Sequence, residues 1–285
     1  MSEPSHAVPH ALGRIVQPTD LSAGGESAFA HGLGLALAAK GHFYIVHADK
    51  PEALDEVDWS GFPGVRDTLT RWGLLEQGAP ATAVADRLGL RVTKTDIAER
   101  DPVHAVLRFL EDHPCDLMVL ATHAREGLPR WLQGSVAEPL AREARLPALF
   151  LAHGARGFVS EDTGARQLRS ILVPADHSPG AGPALELAFE LARMLEASDT
   201  VFHLLHVGTE PPQLRFDPPY ESRLRRLQKE GPVVETIVDT AREVDADLIV
   251  MATRGREGFL DALRGSTTEQ VLRQAGRAVL AVPSD

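Results

Sequence analysis

Cysteine is almost missing from this chain. Cys115 stands alone among 285 residues, which excludes an internal disulfide framework and any multi-cysteine metal site and suits a reducing compartment. Long apolar runs are lacking too: no stretch approaches the roughly 18 residues of a membrane helix. Residues Met1 to His10 have neither the basic patch nor the continuous apolar core of a secretory signal. They read as a short disordered tail, and the expected compartment is the cytoplasm. Basic charge is in deficit, with 29 Lys and Arg against 40 Asp and Glu for a net charge of −11. That field repels a phosphate backbone and argues against a nucleic-acid partner. A Walker Gly-x4-Gly-Lys-Ser/Thr loop is absent, and no nucleophile, base and orienting residue assemble into a catalytic set. His203 and His206 are three apart on an expected strand and so point to opposite faces, while His6 and His10 fall in the tail. Neither pair suggests a metal site.

What the chain does have is a repeat, the first thing to seek in a sequence of this length. Arg14-Ile-Val-Gln-Pro-Thr-Asp20 returns as Ser170-Ile-Leu-Val-Pro-Ala-Asp176. Cys115-Asp-Leu-Met-Val-Leu-Ala-Thr-His-Ala-Arg-Glu-Gly127 returns as Ala246-Asp-Leu-Ile-Val-Met-Ala-Thr-Arg-Gly-Arg-Glu-Gly258, each followed by a Gly-Ser pair, Gly134-Ser135 and Gly265-Ser266. Both units close on a short apolar run, 147–152 and 278–283. The first unit predicts strands near 14–18, 43–47, 91–97, 117–122 and a last one at its end. Helices are expected over 27–40, 103–113 and 136–145, with a long helical stretch near 64–88. The second unit follows the same order, with a helix over 184–196 and a strand over 201–207. Strands alternating with helices imply parallel pairing and right-handed crossovers, so the expected class is α/β, two tandem doubly wound five-stranded parallel-sheet domains spanning 1–153 and 168–285. Residues 153–167, with glycine and charge but no apolar periodicity, read as the linker.

Asp20 and Asp176 stand 156 residues apart but Asp116 and Asp247 only 131, so the second unit is 25 residues shorter. The loss falls in the Pro-rich stretch 208–220, where the first unit has its second helix. Strand three of the second unit is therefore expected directly from 222–228, and one face of that sheet is expected to be thinly covered.

In an open parallel sheet a ligand lies beyond the carboxyl ends of the strands, where the winding reverses. There the turn Pro174-Ala175-Asp176 would face the loop Ala252-Thr253-Arg254-Gly255, which is followed nine residues later by Gly265-Ser266-Thr267 opening a helix. Glycine admits close backbone approach, and a hydroxyl with free amides at a positive helix end suits a nucleotide phosphate. A second explanation stands beside this one. Ser266-Thr-Thr-Glu269 and Ser135-Val-Ala-Glu138 both match the Ser-x-x-Glu capping box, which needs no ligand. Asp20 and Asp176 equally suit turn residues after strand one. Arg125 and Arg256, each beside a glutamate, are better read as solvated ion pairs than as phosphate ligands.

The order of strand-Pro-x-Asp, His-Val after strand two, and Gly-x-x-Gly-x9-Gly-Ser/Thr after strand four resembles the universal stress protein family, twice over and across nearly the whole chain. The resemblance implies strand order 3-2-1-4-5, dimerisation through the last strand, and ATP binding in some members but not others. Carried over, Asp176 would meet the adenine or ribose, Val207 the adenine, and Gly255, Gly265, Ser266 and Thr267 the phosphates. The second unit departs at Ala252, where binding members have glycine. The first departs further, with Ala121-Thr-His-Ala124 in place of the leading glycines and Ala48 in the position of Val207, so its site is expected to be degenerate. Two functions follow: an ATP-binding regulatory protein working through the second unit with an unidentified protein partner, or a non-binding interaction module in which strands 148–152 and 278–282 pair as an intramolecular pseudo-dimer. A homodimer is compatible with either. By resemblance alone, any catalysis would be limited to slow ATP hydrolysis or self-phosphorylation.

Overall fold

The computed structural model describes residues 12–50, 57–122, 137–214, 218–254 and 267–284. The first half runs β1 (Arg14–Thr19), α1 (Glu26–Ala39), β2 (His42–Asp49), α2 (Val65–Arg71), α3 (Thr82–Leu88), β3 (Arg91–Ala98), α4 (Pro102–Asp112), β4 (Leu117–Thr122), α5 (Ala137–Glu143) and β5 (Ala148–Ala152). The second runs β6 (Ser170–Pro174), α6 (Gly182–Met194), β7 (Val201–Val207), α7 (Pro218–Glu221), β8 (Leu224–Lys229), α8 (Val233–Glu243), β9 (Leu248–Arg254), α9 (Thr267–Gln274) and β10 (Ala278–Ser284). Each half pairs its strands in parallel in the order 3-2-1-4-5, and the halves join edge to edge as β3-β2-β1-β4-β5-β10-β9-β6-β7-β8. At the junction β10 runs antiparallel to β5, with Val279 opposite Phe150, Leu280 opposite Leu149 and Ala281 opposite Ala148. That is the strand pairing expected of an intramolecular pseudo-dimer.

The continuous apolar strands are explained by burial on both faces. Successive strand residues point to opposite sides of the sheet. Ile15, Leu149, Ile171 and Leu280 accordingly join one core with α1, α2, α3 and α6. Their neighbours Val16, Phe150, Leu172 and Val279 join a second core with α4, α5, α8 and α9. Both cores run through both halves. Helix α4 starts where its sequence says it should: Asp101 accepts hydrogen bonds from the amides of Val103 and His104 at 2.9 and 3.3 Å, and Pro102 takes the first turn.

The repeated aspartates of the Asp-Leu-x-Val motifs act at the amino ends of the strands. Asp116 Oδ2 accepts the Arg14 amide at 2.8 Å, and Asp247 Oδ2 accepts the amides of Arg169 and Ser170 at 2.7 and 3.1 Å. Each ties the start of strand four to the start of strand one, at the end of the sheet remote from the crevice.

Three expectations need correction. The helical stretch near 64–88 is two short helices, because Gly73 and Gly78 adopt φ of 72° and 79° and break it. The face expected to be thinly covered is filled from within. Forty-one residues separate β2 from β3 but only 16 separate β7 from β8. From that short connection Tyr220 stacks on Phe189 with ring centroids 4.1 Å apart, and Leu214 packs on the same core. The connection at 153–167 joins the halves without being a solvated tether. Phe158 and Val159 are buried, and their amides both donate to His31 Nε2 of α1, at 3.0 and 3.1 Å. Arg156 reaches the second half, donating to Asp245 at 2.5 Å and to Asp247 at 2.8 Å.

Candidate functional site

A crevice forms where neighbouring parallel strands part. Strands β1 and β2 stay in register over six residue pairs, and β9 and β10 over seven. By contrast β6 and β9 match only at Ile171 with Leu248 and Leu172 with Ile249, and β1 and β4 only at Ile15 with Leu117 and Val16 with Met118. The strands on either side of each switch point therefore diverge before their carboxyl ends, and each half opens a notch there. Because β5 and β10 are antiparallel, the two notches lie at opposite ends of the sheet.

In the second half one wall of the notch is the end of β6. Pro174 is half-buried, Ala175 is buried, and the Ala175 amide carries the ladder one step further by donating to the Leu205 carbonyl at 2.7 Å. Asp176 is exposed, and its Oδ1 accepts the His177 amide at 2.7 Å. The other wall is the end of β9, where Ala252 pairs with Val282, Thr253 with Pro283 and Arg254 with Ser284. Ala252 is half-buried and packs against the α6-side core, whereas Val207, at the end of β7, packs against the α8-side core. Thr267 is exposed at the start of α9. Of the residues expected at the site, Pro174, Ala175, Asp176, Val207, Ala252 and Arg254 are thus brought to the carboxyl edge of three adjacent strands. Gly255, Gly265 and Ser266 lie outside the described residues, as do Ala124, Arg125, Gly134, Ser135 and Arg256.

The first notch differs in its chemistry. Asp20 Oδ1 accepts both the amide and the hydroxyl of Ser22, at 3.0 and 2.6 Å, so this carboxylate serves its own turn. Further along the same edge the Trp59 indole donates to the Asp96 carboxylate at 3.1 Å, and the Lys94 ammonium lies 4.8 Å over the indole ring. Desolvation by burial lowers the Lys94 pKa. A 280 Å³ cleft opens beside the start of α1, lined among others by Glu26, Asp67, Glu161 and Arg71. Three carboxylates against one guanidinium make it a poor place for phosphate.

One pair of residues escaped sequence reasoning. His47 Nδ1 lies 2.9 Å from the Thr19 carbonyl and His206 Nδ1 lies 3.0 Å from the Ala175 carbonyl, the same bond at the same place in both halves. A carbonyl only accepts, so Nδ1 carries the proton in each ring. The signal was present as a histidine at the end of strand two in both halves, which entered the sequence reading only as part of the family resemblance and, for His206, as a rejected metal ligand.

The universal stress protein family profile matches residues 12–151 and 219–283. The second stretch begins after Asp176 and Val207, whose placement rests on the sheet topology. A universal stress protein of Methanocaldococcus jannaschii is 30% identical over 145 residues, covering 48% of this chain and 79% of the relative. Another, from a Synechocystis species, is 32% identical over 93 residues, covering 33% of this chain and 50% of the relative. Among solved structures, a universal stress protein from Archaeoglobus fulgidus matches with a TM-score of 0.63 at 19% identity, covering 95% of this chain and 96% of that one. A protein from Pseudomonas aeruginosa, described as a putative universal stress protein, matches with a TM-score of 0.60 at 18% identity over 95% of this chain and 92% of that one. With a profile match over more than half of its length and the fold shared end to end with these structures, the chain belongs to the universal stress protein family.

Proposed function

We propose that this protein is a cytoplasmic regulatory protein that binds one adenine nucleotide, ATP, in the notch of its second half and presents the occupied state to a protein partner. The observation that carries the reading is the early parting of β6 and β9, which opens a gap between Asp176 and the Ala252–Arg254 end of β9. On this reading Asp176 meets the ribose or adenine and Val207 the base. Gly255, Gly265, Ser266 and Thr267 hold the phosphates, where glycine permits close approach and a helix start favours negative charge. Ala252 is compatible with the ligand because its methyl packs against the α6-side core. In the first half the leading glycines are replaced by Ala121 and Ala124, and Ala48 stands in the position of Val207, so that notch takes no nucleotide. The chain is not proposed to be an enzyme.

The test compares the two aspartates. Loss of one charge-assisted hydrogen bond corresponds to about 1.5–3 kcal/mol, so Asp176→Ala should weaken ATP binding by at least about tenfold in equilibrium dialysis. Asp20→Ala should leave it unchanged. The reverse pattern would place the site in the wrong half.

The antiparallel β5–β10 junction supports a second reading, a non-binding interaction module. Here the fixed pseudo-dimer itself is the functional unit, with its family dimerisation edge satisfied internally and ATP irrelevant to partner capture.

A further inference from the structure

His206 is buried at the penultimate position of β7, one residue before Val207. Its Nδ1–H donates to the Ala175 carbonyl at 3.0 Å, which is the last carbonyl before Asp176. The far side of the ring is equally constrained. Gly208 adopts φ of 147°, and a Cβ there would lie 2.9 Å from His206 Nε2, so a side chain at 208 would press on the ring from a backbone conformation that L residues rarely adopt. The turn is gripped a second time by His177, whose Nε2 lies 2.8 Å from the Glu210 carbonyl and whose ring meets the His206 ring edge-on at 6.1 Å. Gln228 of β8 in turn donates to the carbonyls of Gly208 and Thr209, both at 2.9 Å. The loop after β7 is therefore anchored to β8 on one side and to the β6 turn on the other. The first half has the His47 bond, but Leu21 stands where the second half has His177, so this outer strap is peculiar to the half proposed to bind nucleotide.

We propose that His206 is a positioning residue of the second notch: through the Ala175 carbonyl it sets the direction in which the turn presents Asp176, and the His177–Glu210 contact holds that turn against the loop after β7. The role of Asp176 toward ATP rests on the nucleotide reading above; the positioning of the turn does not. The chemistry of the bond supplies the test. The asparagine amide nitrogen stands at the same number of bonds from Cβ as Nδ1, whereas the glutamine amide reaches one atom further, toward Nε2.

Nitrogen-15 NMR of the wild-type protein should find the His206 ring protonated at Nδ1. His206→Gln should shift the amide resonances of Asp176 and His177 and weaken ATP binding by about tenfold, the equivalent of one hydrogen bond, whereas His206→Asn should return both to within about twofold of wild type. His47→Gln, which breaks the matching bond in the other half, should leave ATP affinity unchanged. An Nε2–H tautomer, or unshifted Asp176 and His177 amides in His206→Gln, overturns the proposal. So does an equal loss of melting temperature and ATP affinity in both His206 variants, since packing alone predicts that result. If the wild-type protein binds no ATP, the nucleotide reading fails, and the tautomer with the two amide shifts decides the positioning role by itself.

Discussion

His31 lies on α1 with its ring fully enclosed, its Nδ1 2.7 Å from the Ser27 carbonyl and its Nε2 accepting the amides of Phe158 and Val159. Both nitrogens are committed only in the neutral ring with the proton on Nδ1. Burial pushes its pKa from 6.5 down to about 4, against a small opposing effect of the Ser27 hydrogen bond. The folded-state pKa lies below the unfolded one, so between about pH 6.5 and pH 4 the unfolded chain binds more protons. The contribution of this residue is therefore complete above pH 6.5 and is lost as the pH falls toward 4. The difference corresponds to on the order of 3 kcal/mol. Urea denaturation at pH 7 and pH 4.5 should show wild type losing more stability than His31→Gln across that interval. Equal losses would mean that other groups govern the acid limb. By contrast Cys115 is inert as a thiol: burial pushes its pKa up to about 12, and its Sγ donates to the His113 carbonyl.

At the scale of elements, the β5–β10 junction bears most of the connection between the halves. Leu149 and Leu280 face each other and are 1% and 2% exposed, in a core that also holds α1 and α6 residues. Truncating a buried leucine costs about 2–5 kcal/mol. Leu280→Ala should lower the urea midpoint accordingly, while Leu74→Ala, at the 45% exposed Leu74, should leave it nearly unchanged. Similar effects at both sites would contradict a packed junction. The strands and most helices were legible in the sequence because apolar runs such as 117–122 fit strands covered on both faces, whereas the strand order came only from the family resemblance. The break at Gly73 and Gly78 was not, since their positive φ is set by how the chain packs rather than by composition alone. Nor was the embedding of 153–167, because Phe158 and Val159 are only two apolar residues and show no period. The placement of Asp176 and Ala252 at the carboxyl edge of the sheet was legible from the repeat, and that of Val207 came with the family resemblance; the His206 bond was not legible, because a histidine recurring at the end of strand two does not show what its ring faces.

Taken as a whole, the molecule is one ten-stranded sheet with two helical layers and two notches facing opposite ways. The last-strand edges of the two halves, β5 and β10, are already occupied by each other inside the chain. The outer edges are β3 and β8, whose faces carry Arg91, Lys94, Arg225, Arg226 and Lys229, charges that disfavour further strand addition. The halves are duplicates in topology but not in chemistry: both aspartates accept a bond from their own turn and both turns meet a strand-two histidine, but only the turn of Asp176 carries the His177–Glu210 contact, and Ala121 and Ala124 replace the leading glycines of the first half. The account therefore predicts asymmetric occupancy, which calorimetric titration of the wild-type chain and of Gly265→Val with ATP tests most directly. One site per chain, abolished by Gly265→Val, is the predicted result. Two equivalent sites, or no saturable heat from folded protein at millimolar ATP, would contradict it.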